Sequence, residues 1–196
     1  VDRLMRRYTL DRYREAIDLA AEWGCPWVVA IPGPVNSLIN PPYDWMRGWF
    51  VEGVQDLVAH AKGTGVGLLL ENVPFTFLPT AADMKAAAAD IGPEVGINYD
   101  VCNGAFINED PAEAIRMLGA LVKNVHISDS GRDEFKHEKL GTGIVEPAPV
   151  AAALDEIGYE GVTVLEIIAD ALDPENDPEG DIVASRATLA GAGWSA

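Results

Sequence analysis

The sequence predicts an α/β fold in which a parallel β-sheet is covered by helices. Short apolar runs alternate with amphipathic stretches along the whole chain, and no turn signal joins two runs into a hairpin. The runs are nearly continuous in their apolar character, which is typical of strands buried on both faces. With 196 residues, 48% of them hydrophobic, residues 1–196 suffice for a single domain with a sizeable core.

Five strands and six helices are predicted from these patterns. The strands are residues 26–31, 67–71, 95–100, 122–126 and 162–166, and the helices are residues 9–23, 44–62, 80–90, 111–121, 147–157 and 181–189. Thr9 and Thr80 are suitable N-caps, Pro111 fits a first helical turn, and Gly24 can end the first helix. The alternation fits either a (β/α) barrel or a doubly wound sheet, but no glycine-rich nucleotide-binding motif follows the first strand.

Five strands are too few to close an eight-stranded barrel. If the fold is a barrel, we therefore expect a partial one of about five strands, with about three N-terminal strands missing. The chain begins without Met and enters almost at once into a helix-like segment, which agrees with that expectation.

Four of the predicted strands end in a potential metal ligand. These residues are Glu71, Asp100, His126 and Glu166. A single carboxylate at a strand end is usually solvated, but the carboxyl ends of parallel barrel strands meet at one edge, where such barrels keep their active sites. The repetition therefore predicts a divalent-cation site with oxygen-rich coordination.

Charge and composition exclude several classes of protein. The formal net charge is −17, from 31 acidic and 14 basic residues, so non-specific binding to nucleic acid is disfavoured. No apolar run approaches the roughly 18–20 residues of a membrane span. The two cysteines, Cys25 and Cys102, form no CxxC motif and fit a reducing compartment, so we expect a cytoplasmic protein.

The segments around the four residues resemble the strand ends of the xylose isomerase-like TIM-barrel superfamily. The matching segments are Leu70-Glu71-Asn72, Tyr99-Asp100-Val101-Cys102-Asn103, Val125-His126-Ile127-Ser128-Asp129 and Leu165-Glu166. The resemblance covers nearly the whole chain in the same order. The superfamily includes sugar-phosphate isomerases and epimerases, ketose 3-epimerases, hydroxypyruvate isomerases, inosose dehydratases and the endonuclease IV group.

The resemblance implies that Glu71, Asp100, His126 and Glu166 are the metal ligands of a TIM-type barrel. It implies one divalent cation, which is Mn²⁺, Mg²⁺ or Co²⁺ in the sugar enzymes and Zn²⁺ in the nuclease-like branch. Family members are often dimers or tetramers, so a homo-oligomer is a further expectation.

The resemblance also suggests three substrate-binding residues, Arg132, Asp129 and His137. Arg132 follows His126 by six residues, as in the ketose 3-epimerases, and Asp129 fits the acidic residue of the same stretch. His137 precedes a Leu-Gly-Thr-Gly segment that resembles a family loop, and both a substrate contact and a surface role remain open for it. Arg132 could equally be an exposed loop residue.

Two positions depart from the family pattern. Asn103 stands where an Asp-x-x-His motif has its histidine, and Ile31 stands where a His-Pro-Gly segment has its histidine. Asn103 can still hydrogen-bond a sugar hydroxyl, but it is a poor zinc ligand. The departures make Zn²⁺ and a multi-zinc nuclease site less favoured.

The expected function is that of a metal-dependent isomerase or epimerase acting on a ketose or a related hydroxy-carbonyl compound. Glu71 and Glu166 would transfer the proton through an enediolate. Aromatic residues such as Phe75 and Phe77 could form apolar walls, although core packing is the commoner role. An inosose-type dehydratase, an endonuclease IV-like hydrolase and a non-catalytic sugar-binding or interaction protein on the same fold remain alternatives.

Overall fold

A computed structural model describes residues 2–35, 38–168 and 177–194 of the chain. Its five strands form one parallel sheet in the order β1-β2-β3-β4-β5. They are β1 (Trp27–Ala30), β2 (Gly67–Glu71), β3 (Val95–Asp100), β4 (Val122–Ile127) and β5 (Val162–Leu165). Because neighbours in the sheet are also neighbours in the chain, the sheet lacks the order reversal of a doubly wound fold. It is a half-barrel, which confirms the prediction of a partial barrel.

Helices follow the strands and cover the sheet. Within the described residues they are α1 (Arg3–Trp23), α2 (Tyr43–Ala61), α3 (Ala81–Ile91), α4 (Val101–Phe106), α5 (Pro111–Leu118), α6 (Pro147–Glu156) and α7 (Pro178–Gly191). A short 3-10 turn, Gly119–Leu121, continues α5 to the start of β4. None of the helices in these ranges is long and apolar enough to cross a membrane.

Helices α1 and α4 differ most from the sequence prediction. The first helix begins at Arg3 rather than at residue 9, and its N-cap is Asp2, whose side chain accepts a hydrogen bond from the Leu4 amide at 2.8 Å. Its first two turns are mostly exposed and carry several arginines, so they show no apolar periodicity from which a helix could be predicted. Helix α4 occupies a segment predicted as a loop.

The core lies between the inner strands and the helices. All six residues of β3 are buried, and Tyr99 is completely enclosed. The outer strands are more open, and Val162 in β5 remains 67% exposed. The carboxyl ends of β2, β3 and β4 are therefore more enclosed than those of the outer strands, β1 and β5.

Strand register sets the positions of the polar residues at that edge. Asp100 at the end of β3 is paired with His126 in β4, and Glu71 at the end of β2 is paired with Asn98. Side chains at such paired positions project to the same face of a sheet. The register therefore places three of the four candidate ligands on one face.

Candidate metal centre and active site

The four residues at the strand ends converge on one point. His126 Nδ1 lies 2.9 Å from Glu166 Oε2 and 3.2 Å from Glu71 Oε1. Together with Asp100 they offer four ligand-type atoms that all lie within 4.8 Å of one another. The atoms are two glutamate oxygens, one aspartate oxygen and one imidazole nitrogen, which suits a hard or borderline divalent cation.

Buried asparagines hold this cluster in place. Asn98 donates its side-chain amide to Glu71 Oε1 at 2.8 Å, and Asn124 donates in turn to Asn98 Oδ1 at 2.9 Å. Asn72 forms two hydrogen bonds with the backbone of Asp100, at 2.8 and 2.9 Å. The sequence analysis assigned no role to these residues. An asparagine in the middle of a buried apolar strand, as at position 98, is the signal that could have identified them.

Asp100 shows why the cluster fits a cation. The residue is fully buried, and its Oδ1 accepts a hydrogen bond from the Asn103 amide at 2.8 Å. Its Oδ2 has no hydrogen-bond partner among the described residues. Burial, reinforced by the carboxylates of Glu166 and Glu71, raises the pKa of Asp100 well above its ordinary value. A bound cation would relieve both the missing contact and the repulsion between the carboxylates.

His126 and Glu166 form a strongly interacting pair in the absence of metal. Burial alone would lower the pKa of His126, but its hydrogen bonds with Glu166 and Glu71 outweigh that effect and raise the pKa to about 10. The hydrogen bond from His126 lowers the pKa of Glu166 to about 2, against the opposing effect of burial. At neutral pH the imidazole is therefore protonated, and the proton occupies the position that a cation would take.

His137 lies beside this cluster rather than on the surface. The residue is only 8% exposed, and its Nδ1 is 2.9 Å from Ser128 Oγ and 3.7 Å from Glu166 Oε2. Of the two roles left open for it, the surface role is wrong because the residue is buried among site residues.

A second group of potential ligands combines Asp100, Cys102 and His137. Burial raises the pKa of the Cys102 thiol to about 12, and the thiol donates to the Lys136 carbonyl at 3.2 Å. Binding a cation through this thiol would require loss of its proton against the raised pKa, so the carboxylate-rich group is the better candidate.

Asp129 has a structural role that the sequence analysis did not anticipate. It is fully buried, and both carboxylate oxygens accept hydrogen bonds from backbone amides. The donors are Ser130 and Val145 to Oδ1, and Gly141, Thr142 and Gly143 to Oδ2, at 2.8–3.1 Å. The loop after β4 folds back over the carboxylate, and its amides occupy both oxygens. The predicted substrate contact of Asp129 is therefore disfavoured.

Arg132 and Asn103 differ in their relation to the cluster. Arg132 is exposed and donates to Asn108 Oδ1 at 2.9 Å, at a cavity of about 350 Å³ whose lining includes none of the four clustered residues. Asn103 is buried, and its Oδ1 has no hydrogen-bond partner within the described ranges. A substrate contact by either residue stays a prediction, and Asn103 is the better placed of the two.

Comparison with known proteins agrees with the fold. A sequence profile of the xylose isomerase-like TIM-barrel family matches residues 1–190. Fructoselysine 3-epimerase of Shigella flexneri is 26% identical over 176 residues, which cover 85% of this chain and 61% of that protein. The chain thus spans about three fifths of the length of this curated relative.

Solved structures of sugar epimerases have the same fold. A D-tagatose 3-epimerase-like protein superposes with a TM-score of 0.84 at 26% identity, over 98% of this chain and 71% of its own. An L-ribulose 3-epimerase superposes with a TM-score of 0.80 at 22% identity, over 93% of this chain and 67% of its own. With the profile match over residues 1–190, these relatives show that the chain belongs to the xylose isomerase-like TIM-barrel family.

Proposed function

We propose that this chain carries the catalytic centre of an isomerase or epimerase that acts on a ketose or a related hydroxy-carbonyl compound. The observation that carries the proposal is the convergence of Glu71, Asp100, His126 and Glu166 within 4.8 Å of one another. Similar proteins support it, since they include a fructoselysine 3-epimerase and a D-tagatose 3-epimerase-like protein. Because the chain covers only part of those relatives, the proposal concerns the whole protein to which this site belongs.

The four residues would hold one divalent cation, for which Mn²⁺, Mg²⁺ or Co²⁺ is favoured over Zn²⁺. Three carboxylates and one imidazole form an oxygen-rich set, and the unpartnered Oδ2 of Asp100 is available to it. Such a cation, when bound, supplies Lewis-acid polarisation of a substrate carbonyl.

Glu71 and Glu166 are the proposed proton-transfer residues. Each has an oxygen close to the His126 imidazole, at 3.2 Å from Nδ1 for Glu71 and 2.9 Å for Glu166. One carboxylate would take the proton from the carbon next to the carbonyl, which leaves an enediolate, and the other would return a proton. Return to the opposite face of the same carbon gives an epimer, and return to the neighbouring carbon gives the aldose–ketose isomer.

Other residues would bind and orient the sugar. His137 lies 3.7 Å from Glu166, and Asn103 has a free amide oxygen directly after the Asp100 strand end. Both can exchange hydrogen bonds with sugar hydroxyls. Arg132 would contact substrate only after moving from its present bond with Asn108.

The competing functions are less well supported by these residues. A multi-zinc hydrolase needs histidines where the chain has Asn103 and the half-exposed Ile31. A non-catalytic protein has no need for three carboxylates crowded around one imidazole, because such crowding disfavours folding. An inosose-type dehydratase would use the same cluster and differs only in the product.

Exchange of a substrate proton with solvent deuterium tests the proposal. The protein is incubated with Mn²⁺ and a panel of ketoses in deuterated water, and label at carbon is followed by NMR. We expect exchange in the wild type and a loss of several orders of magnitude in Glu166→Gln, with Glu160→Gln as the exposed control.

The same experiment distinguishes the alternatives. Mass analysis separates isomer or epimer, which differ from the substrate only by the deuterium gained, from a dehydratase product, which loses water. Full exchange in soluble Glu166→Gln would refute the assignment of the proton-transfer residue, and no exchange with any ketose would refute the proposed function.

A further inference from the structure

Three phenylalanines form a cluster next to the candidate site. The ring centroids are 5.9 Å apart for Phe75 and Phe106, 6.1 Å for Phe75 and Phe135, and 5.0 Å for Phe106 and Phe135. Each ring follows a different strand that ends in a candidate ligand. Phe75 comes after β2, Phe106 ends the helix after β3, and Phe135 lies in the loop after β4. Three successive loops thus contribute one ring each to the same edge of the sheet.

The cluster is continuous with the proton-transfer residues. The Phe135 ring contacts the His137 ring edge to face at a centroid distance of 5.2 Å, and His137 Nδ1 lies 3.7 Å from Glu166 Oε2. From there the rings lead outward to Phe75, which remains 66% exposed. An apolar strip therefore runs from the charged centre to solvent.

Phe75 is held in a backbone conformation that costs free energy. Its φ is 64°, in the left-handed region that non-glycine residues rarely adopt. The turn is fixed on both sides, because the Phe75 carbonyl accepts from the Val35 amide at 2.8 Å and the Thr76 hydroxyl donates to the Val73 carbonyl at 2.7 Å. A fixed, strained turn that presents a large apolar ring to water suggests a function in binding.

We propose that this strip, defined by Phe75, Phe106 and Phe135, binds an apolar substituent on the substrate, so that the substrate class is a substituted ketose rather than a free sugar. The inference rests on the proposed function, since it takes the reacting carbons to lie at Glu71 and Glu166. An unsubstituted ketose has only small apolar C–H patches between its hydroxyls, so it would bury less of the outer ring, Phe75. An aryl or alkyl group attached to the sugar would cover that ring and gain from its burial.

Binding of matched sugars to the Mn²⁺-loaded protein tests this inference. Calorimetry compares D-fructose with its benzyl ethers at the first and at the last carbon, in the wild type and in Phe75→Ala. We expect one ether to bind about tenfold more tightly than D-fructose, as burial of about 55 Å² of apolar surface would give. Phe75→Ala should remove most of that preference, measured as the ratio of the two affinities in the same variant.

Controls separate this inference from simpler explanations. Trp23 is also exposed, but it ends the helix before β1 and so lies at the opposite edge of the sheet, and Trp23→Ala should keep the preference. Phe75→Leu retains part of the apolar surface and should keep part of the preference for the ether. Deuterium exchange on D-fructose is followed in the same wild-type samples, so failure of the proposed chemistry would be seen separately from failure of the subsite.

Three results would overturn the inference. They are ethers that bind no more tightly than D-fructose, an unchanged preference in Phe75→Ala, and a change of oligomeric mass in Phe75→Ala. The last result would assign the cluster to an interface between copies of this chain.

Discussion

Asp100 and Asp129 are two fully buried aspartates near the carboxyl ends of neighbouring strands, and their surroundings are opposite. Asp129 accepts five backbone hydrogen bonds, spread over both of its oxygens. Asp100 accepts one from the Asn103 amide, and its second oxygen faces other carboxylates without a partner in the described part of the chain. Burial is the same for both, so their hydrogen bonds and the carboxylates next to Asp100 distinguish them.

The difference separates a carboxylate that stabilises the fold from one that is available to a ligand. A buried charge that is fully hydrogen-bonded supports its surroundings, whereas one that is partly bonded destabilises the free protein. Gly143 shows how closely the loop surrounds Asp129, because a Cβ at this position would come within 2.6 Å of Asp129 Oδ1. The loop after β4 is thus built around one carboxylate, while the other is left open toward the cluster.

Asp129→Asn should have the largest effect on stability. The substitution places an amide group, with its own N–H donors, among five backbone donors, so we expect the free energy of unfolding to fall by about 3 kcal/mol or more. Chemical denaturation measures the change, and Asp133→Asn, in the exposed part of the same loop, is the matched control. A change below about 1 kcal/mol would show that the loop does not depend on this carboxylate.

Asp100→Asn should act in the opposite direction on the metal-free protein. An asparagine keeps the acceptor for the Asn103 amide and removes a buried charge, so stability should rise by about 1 kcal/mol. Mn²⁺ affinity should fall by about a hundredfold or more, since outer-shell changes alone cost roughly 10–100-fold. Calorimetry measures the change in Mn²⁺ affinity, and chemical denaturation of the same samples measures the change in stability. A loss of stability equal to that of Asp129→Asn would remove the distinction between the two residues.

Proton release on Mn²⁺ binding tests the electrostatics of the cluster that contains Asp100. The pKa of His126 is raised to about 10, so the imidazole is charged at neutral pH and must lose its proton before it can bind a cation. We expect about one proton to leave per Mn²⁺ bound at neutral pH, and affinity to rise with pH toward about 10. Titration in buffers of different ionisation enthalpy counts the protons. An equal count in His126→Gln would assign the release to another group.

The smallest expected effect concerns the strained backbone of Phe75 rather than a buried carboxylate. Phe75→Gly and Phe75→Ala both remove the ring, but only glycine tolerates the φ of 64° without strain. We expect the glycine variant to be more stable than the alanine variant by about 1 kcal/mol. Thermal unfolding of the two variants measures the difference. Equal stability would show that the turn relaxes when the ring is lost.

The strands and their polar ends could be predicted from the sequence because each depends on a local pattern. The run Gly67 to Glu71 is apolar until its last residue, and the structure has the same strand. Thr80 was likewise identified as a cap, and the structure shows it in a capping box with Asp83. Both are decided by neighbouring residues in the chain.

The features that were missed depend on contacts between distant segments. Helix α4 is too short for a helical period and begins directly at its N-cap, Asp100. The role of Asp129 is set by residues 141–145, which lie more than ten positions away in the chain. The cluster of Phe75, Phe106 and Phe135 exists only because three strands are adjacent in the sheet. Helix α7 begins at Pro178, three residues before the predicted start, with Asp177 as its N-cap.

Crystals of the protein soaked in Mn²⁺ would test the central claim most directly, through anomalous diffraction at the manganese absorption edge. The account predicts one strong peak among Glu71, Asp100, His126 and Glu166, with Asp100 Oδ2 as a ligand. A protein with no peak there, or with its peak at the group of Asp100, Cys102 and His137, would contradict it.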